Sequence, residues 1–189
     1  MRRYGVRLLP LMLVLAVLPA RLAAQDTPER VVQRYYEAIK AGDYAATAAM
    51  MHPEALDQIK TMFTSMAAAF ADQDPDEMEQ FLGVRTAADL EKLPAQEVFA
   101  RMLKSTVGAQ EELRQVLATA EVTVLGSVPE GETSHVLYRN KMSMMGMEMN
   151  QVQVASVKRH EGQWKVLLTA DLSGMMGALG GLTGGGDEP

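Results

Sequence analysis

The chain of 189 residues contains no cysteine. This absence excludes a disulfide scaffold, a thiolate metal site, a cysteine nucleophile and a lipid anchor on cysteine. Positive charge is also scarce, because 18 Lys and Arg face 24 Asp and Glu, for a formal net charge of −6. Nucleic acid is therefore not an expected partner, since phosphate binding needs a basic face. Apolar residues make up 48% of the chain, which indicates a folded domain rather than a disordered one.

Motifs of metal, nucleotide and nucleophile chemistry are missing as well. No histidine pair has metal-binding spacing, and no Asp-rich calcium loop, nucleophile elbow or phosphate-binding glycine loop occurs. The three histidines, His52, His135 and His160, fall in three different predicted elements. We therefore predict no metal site and no cofactor, and we assign no catalytic residue.

Residues 1–24 have the pattern of an export signal. Arg2, Arg3 and Arg7 precede an apolar, leucine-rich run, and small residues end at Ala24. A basic start, a short apolar core and a small-residue cleavage site predict a secretory signal peptide, and hence a secreted or periplasmic protein. The run is short and is interrupted by proline, so we expect no membrane span after cleavage.

The chain after residue 24 reads as helices followed by strands. Asp26 or Thr27 can cap a first helix, whose first turn contains Pro28 and which ends at Gly42. Asp43 can cap a second helix that reaches Met51. Apolar residues at helical spacing continue from Pro53. Further helix starts follow at 74–77, 86–89 and 94–98, and residues 110–117 read as mostly helix.

From residue 120 the apolar period changes to two. Strands are predicted at 121–125, 135–144, 147–160 and 164–168, joined by short connections. This order predicts an α+β fold in which helices pack on one face of an antiparallel meander. The predicted domain covers 25–173, and residues 174–189 form a flexible glycine-rich tail.

Two segments carry a family resemblance. Residues 27–44, TPERVVQRYYEAIKAGDY, and residues 158–166, KRHEGQWKV, resemble the opening helix and closing hairpin of the nuclear-transport-factor-2-like superfamily, which includes SnoaL-like and ketosteroid-isomerase-like proteins. The resemblance implies a cone: helices wrapped by a curved antiparallel sheet, a cystatin-like roll, with a pocket between them. Residues 54–117 would then be an enlarged helical insertion. A shared fold does not establish a shared activity.

The resemblance and the strand pattern together suggest where a ligand pocket would lie. Asn140 stands between Tyr138 and Met142 on one strand face, and a polar group among large apolar ones can orient a ligand. Isomerase-type chemistry would also need a carboxylate base, but Glu121, Glu148 and Asp171 all lie near predicted element ends. The predicted pocket residues are Tyr35, Tyr138, Asn140 and Trp164.

The segment 142–149 is unusually rich in methionine. If the chain turns at Met145-Gly146, cross-strand pairing places four thioethers on one face. Three interpretations are open: gap-filling packing, an adaptable apolar surface for a partner, and a thioether site for Cu(I). The four residues are Met142, Met144, Met147 and Met149.

We therefore predict an exported, non-enzymatic binding domain. It would hold a small apolar ligand or a protein partner in the cone pocket or on the methionine-rich hairpin. A SnoaL-like isomerase or hydrolase-type enzyme and a methionine-based Cu(I)-binding protein are the alternatives. A homodimer formed through the outer face of the sheet is compatible with this fold.

Overall fold

The computed structural model describes residues 26–70, 79, 82–144 and 147–167. Within these ranges the chain is α+β, with helices first and a four-stranded antiparallel sheet after them. This confirms the predicted fold class and the predicted order of elements. The predicted signal peptide, the helix start at 74–77, the Met145-Gly146 turn and the tail 174–189 lie outside the described residues.

Local chemistry predicts where the first two helices begin and where the first one ends. Helix α1 spans Pro28–Ala41, and the Thr27 hydroxyl oxygen accepts a hydrogen bond from the backbone N–H of Arg30. Gly42 ends α1 in the left-handed conformation, with φ of 70°. Helix α2 spans Tyr44–Ala49 and is capped by the carboxylate of Asp43. It stops before the predicted Met51 because Met51 forms a parallel bridge with Val166.

Further helices follow α2 along the chain. Helix α3 spans Pro53–Phe70, α4 spans Ala87–Lys92 and α5 spans Ala95–Leu103. Helix α5 continues directly into a π-helical turn, Lys104–Gly108, and α6 follows at Glu111–Thr119. Helices α3, α4 and α5 pack on one another or on α2, and α6 contacts α1 and the sheet. The sequence predicted these helices but not the π-helical turn.

The sheet is a meander of strands in the order β1-β2-β3-β4. The strands span Glu121–Glu130, Thr133–Met144, Met147–His160 and Gln163–Val166. Strand β1 is longer than predicted because a bulge between Val124 and Gly126 lets its pairing with β2 continue to Glu130. Each connection reverses the chain, as the short predicted turns required.

The core lies between the helices and one face of this sheet. Alternate residues of β2 and β3 point into it, so that Val136, Tyr138, Ala155 and Val157 are buried whereas Leu137 and Val154 are exposed. We call the buried side the inner face and the opposite side the outer face. The helices contribute further fully buried side chains, among them Val32, Ile59, Phe63, Leu90, Val98, Phe99 and Met102.

Candidate functional site

Two of the predicted pocket residues are part of the core. Tyr35 is 4% exposed and Tyr138 is 1% exposed. Helix α1 contacts β2 through Tyr36 and Tyr138. Their hydroxyls share a hydrogen bond, and their ring centroids are 4.9 Å apart. The aromatic side chains therefore fill the space between α1 and the inner face.

Asn140 lies two residues beyond Tyr138 on the same inner face. Its carbonyl oxygen Oδ1 is buried and accepts no hydrogen bond from the residues that the structure describes. A buried acceptor without a donor costs about 1–3 kcal/mol, so such atoms are rare in native proteins. The amide oxygen of Asn140 is therefore left available on the inner face, within the described part of the chain.

Trp164 lies apart from the other three predicted pocket residues. It pairs with Arg159 across β3 and β4, and the Arg159 guanidinium carbon is 4.6 Å from the centroid of the Trp164 ring. Tyr138 instead pairs with Gln153, six positions earlier on β3. The structure therefore places Tyr138 and Asn140 on the inner face beside α1, the helix that carries Tyr35, and leaves Trp164 at the β3–β4 hairpin.

The methionine-rich hairpin has the predicted register. Met142 pairs with Met149, and Met144 pairs with Met147. These four backbone positions share one face, the face that carries Tyr138 and Asn140 further along. Met142 and Met149 are half-buried, whereas Met147 is 64% exposed. The hairpin thus runs from the edge of the core into solvent.

A cleft of about 470 Å³ opens among the helices, and its lining residues come from 39–44 and 104–118. It is formed by the end of α1, the start of α2, the π-helical turn and α6. Its apolar side chains include Ile39, Val107 and Leu117. The other lining residues are Lys40, Ala41, Gly42, Tyr44, Lys104, Gly108, Glu111, Arg114, Gln115 and Ala118. Sequence reasoning missed this site, although the helix predicted at 110–117 forms one wall of it.

The aromatic ring of Tyr44 rests on the backbone of Gly108. A Cβ atom added at Gly108 would lie 3.1 Å from Tyr44 Cε2 and 3.2 Å from the Tyr44 hydroxyl. Glycine at this position therefore permits the close approach of the two segments. The Tyr44 hydroxyl makes no hydrogen bond with any residue in the described part of the chain.

The cleft holds three cationic side chains and one carboxylate. Lys40 donates a hydrogen bond from Nζ to the backbone carbonyl of Ala120, and Arg114 forms an ion pair with Glu111. Lys104 is exposed and has neither a hydrogen bond nor an ion pair within the described ranges. The cleft thus combines apolar walls with a surplus of positive charge.

Among the residues with described positions, no helix combines the length and apolar character that crossing a bilayer requires. The same residues include no group of three or more His, Asp or Glu side chains that could hold a metal ion. Comparisons with protein-family models, with curated proteins and with solved structures find no match for this chain.

Proposed function

We propose that this protein is an exported, non-enzymatic binding domain that holds a small apolar molecule. The observation that carries the proposal is the cleft between α1, the π-helical turn and α6, with its volume of about 470 Å³. Sites for small molecules commonly measure roughly 300–1,000 Å³ and combine apolar walls with a few polar groups. Ile39, Val107 and Leu117 supply such walls, and Tyr44 supplies a hydroxyl.

The proposal includes the cone-shaped roll of the nuclear-transport-factor-2-like superfamily, with 54–117 as an enlarged helical insertion. It is supported by the resemblance of residues 27–44 and 158–166, and by the order of helices before an antiparallel sheet. Export is proposed from the pattern of residues 1–24, which act as the signal peptide. The cleft differs in place from the pocket that the resemblance implies, because it lies among helices and not over the sheet.

A binding role is favoured over a SnoaL-like enzyme by the exposure of the two candidate acids that the structure describes; Asp171 lies outside the described residues. An isomerase-type site needs a carboxylate with a matched pKa beside its hydroxyl groups. Glu121 and Glu148, at the ends of their strands, are both exposed to solvent. The hydroxyls of Tyr36 and Tyr138 are hydrogen-bonded to each other inside the core. This arrangement is typical of buried tyrosines with a structural role.

The methionine-rich hairpin is a second candidate site, for a protein partner. Met147 is 64% exposed, and it lies on the same strand face as the half-buried Met142 and Met149. Flexible thioethers can adapt to different partner surfaces, and they also suit Cu(I). The pairing of Met142 with Met149 places two of these side chains next to each other.

A neutral fluorescent probe, N-phenylnaphthylamine, tests the proposed cleft. Ala118 lines the cleft and is exposed, so a tryptophan there fills the space without disturbing the core. We expect Ala118→Trp to weaken probe binding about tenfold, a loss of about 1.4 kcal/mol. Thr119→Trp is the matched control, because Thr119 is also exposed on α6 and does not line the cleft.

Two results of this titration would contradict the proposal. One is the absence of saturable probe binding to the wild-type protein. The other is equal binding by the wild type, Ala118→Trp and Thr119→Trp, because the probe would then occupy another site. Circular dichroism of each variant checks that the helices and strands are retained.

A further inference from the structure

The charge of the cleft is opposite to that of the chain. The whole sequence has a formal net charge of −6, but the cleft is lined by Lys40, Lys104 and Arg114 against one carboxylate, Glu111. A local surplus of cations in a concave surface concentrates the positive potential there. An anion would therefore be attracted to this cleft and repelled by much of the remaining surface.

The polar side chains that line the cleft differ in whether they already form a hydrogen bond or an ion pair. Arg114 is neutralised by its ion pair with Glu111, and Lys40 is bound to the carbonyl of Ala120 at the edge of the cleft. Lys104 has no partner of either kind within the described residues. The hydroxyl of Tyr44 is likewise without a hydrogen bond in that part of the chain. An ammonium donor and a hydroxyl donor thus remain for an acceptor that enters the cleft.

The apolar walls limit what else the ligand can be. Ile39, Val107 and Leu117 line the same cleft as Lys104 and Tyr44. A bare inorganic anion would leave these side chains facing water, whereas an uncharged apolar molecule would leave Lys104 without a partner. Only a molecule with both an apolar body and an anionic head uses both parts of the lining.

We infer that the ligand of this cleft is an amphiphilic organic anion, a small molecule with one carboxylate- or sulfonate-type head on an apolar body. The inference rests on the proposed function, since it specifies the ligand class for the same site. The head accepts hydrogen bonds from Lys104 and Tyr44, and the body packs against Ile39, Val107 and Leu117. A charge-assisted hydrogen bond from the ammonium is the stronger of the two polar contacts.

Two related fluorescent probes separate the head from the body. Anilinonaphthalene sulfonate carries an anionic head, and N-phenylnaphthylamine has nearly the same apolar body without it. We expect Lys104→Ala to weaken binding of the sulfonate about tenfold and to change binding of the neutral probe less than twofold. Tyr44→Phe is expected to weaken the sulfonate about threefold by removing one donor.

Lys141→Ala is the control for overall charge. Lys141 is exposed on the outer face of the sheet, and its replacement removes the same charge outside the cleft. We expect both probes to bind this variant as they bind the wild type.

The possible failures are distinguishable. If the neutral probe binds in the cleft but Lys104→Ala leaves sulfonate binding unchanged, the anionic-head inference is wrong and the proposed apolar site stands. Equal losses of sulfonate binding in Lys104→Ala and Lys141→Ala would also overturn the inference, because the attraction would then be general. If the neutral probe does not bind the wild type, the proposed function itself is contradicted, whether or not the sulfonate binds.

Discussion

His52 caps helix α3 with an imidazole nitrogen that has to stay unprotonated. Its Nδ1 accepts a hydrogen bond from the backbone N–H of Glu54 at 3.2 Å, and the residue is 7% exposed. Burial lowers the pKa of His52 below its ordinary value, and the positive charge of Lys158 lowers this pKa further. The carboxylate of Glu54 raises the pKa of His52, whereas the nearby His160 lowers it.

This lowered pKa predicts a dependence of stability on pH. Below the ordinary pKa of histidine, about 6.5, the unfolded chain takes up a proton that folded His52 resists, so the free energy of unfolding falls as the pH falls. His52→Asn keeps a capping acceptor but does not titrate. We expect the free energy of unfolding, measured with urea, to fall between pH 7 and 5 in the wild type and to fall less in His52→Asn. Equal losses in the two proteins would contradict this role of His52.

Which residue contacts could be predicted depends on their separation in the sequence. The caps at Thr27, Asp43 and Thr86 were predictable because each side chain bonds to a backbone group three residues away. The contact between Tyr44 and Gly108 was not predictable, because it depends on how α2 and the π-helical turn pack. This contact helps to form the cleft. Tyr44 and Gly108 were therefore not among the pocket residues predicted from the sequence.

At the scale of elements, the methionine-rich hairpin gives a prediction about stability. Met147 is 64% exposed at the start of β3, whereas Met51 is 1% exposed beside β4. Replacing an exposed side chain usually changes the free energy of unfolding by less than about 0.5 kcal/mol, but truncating a buried methionine costs about 2–5 kcal/mol. We therefore expect Met147→Glu to unfold at nearly the wild-type urea concentration and Met51→Ala to unfold much earlier.

The opposite result would change the interpretation of the hairpin. If Met147→Glu is destabilised as strongly as Met51→Ala, Met147 is a packing residue and the hairpin is not an open surface for a partner. Both variants are unfolded in urea as isolated proteins, so the partner does not have to be known.

Most helices and strands were predictable from the spacing of apolar residues and from the capping residues. The features that were not predicted share one cause. The register of Met142 with Met149 followed from the turn position alone, since strand pairing has a period of two. The bulge in β1 and the π-helical turn, Lys104–Gly108, each add a residue to a regular ladder. Such insertions leave little trace in an apolar pattern, and they were not predicted.

At the scale of the whole molecule, the outer face of the sheet is unusually apolar. It exposes five large apolar side chains. The homodimer through this face stays a prediction, and these side chains define the surface that it would bury. Isolated exposed apolar residues are common, but several on one sheet face are typical of an interface. The five are Leu125, Val128, Leu137, Val152 and Val154, each at least 41% exposed.

The candidate site is also a property of the whole molecule. The sequence directed attention to Tyr35 and Tyr138, which pack in the core at the inner face. The cleft is instead built from the ends of elements that are distant in the chain, α1, α2 and α6. Its walls could be listed only after the packing of these helices was known.

The most direct test of the central claim is to map where the neutral probe binds. Two-dimensional ¹H–¹⁵N NMR of the purified protein, titrated with N-phenylnaphthylamine, reports each backbone amide separately. The binding account predicts saturable shifts at Gly42, Lys104, Gly108 and Ala118, and unchanged signals at Met149. Shifts confined to the methionine-rich hairpin, or no saturable shifts at all, would contradict the claim that the cleft is the binding site.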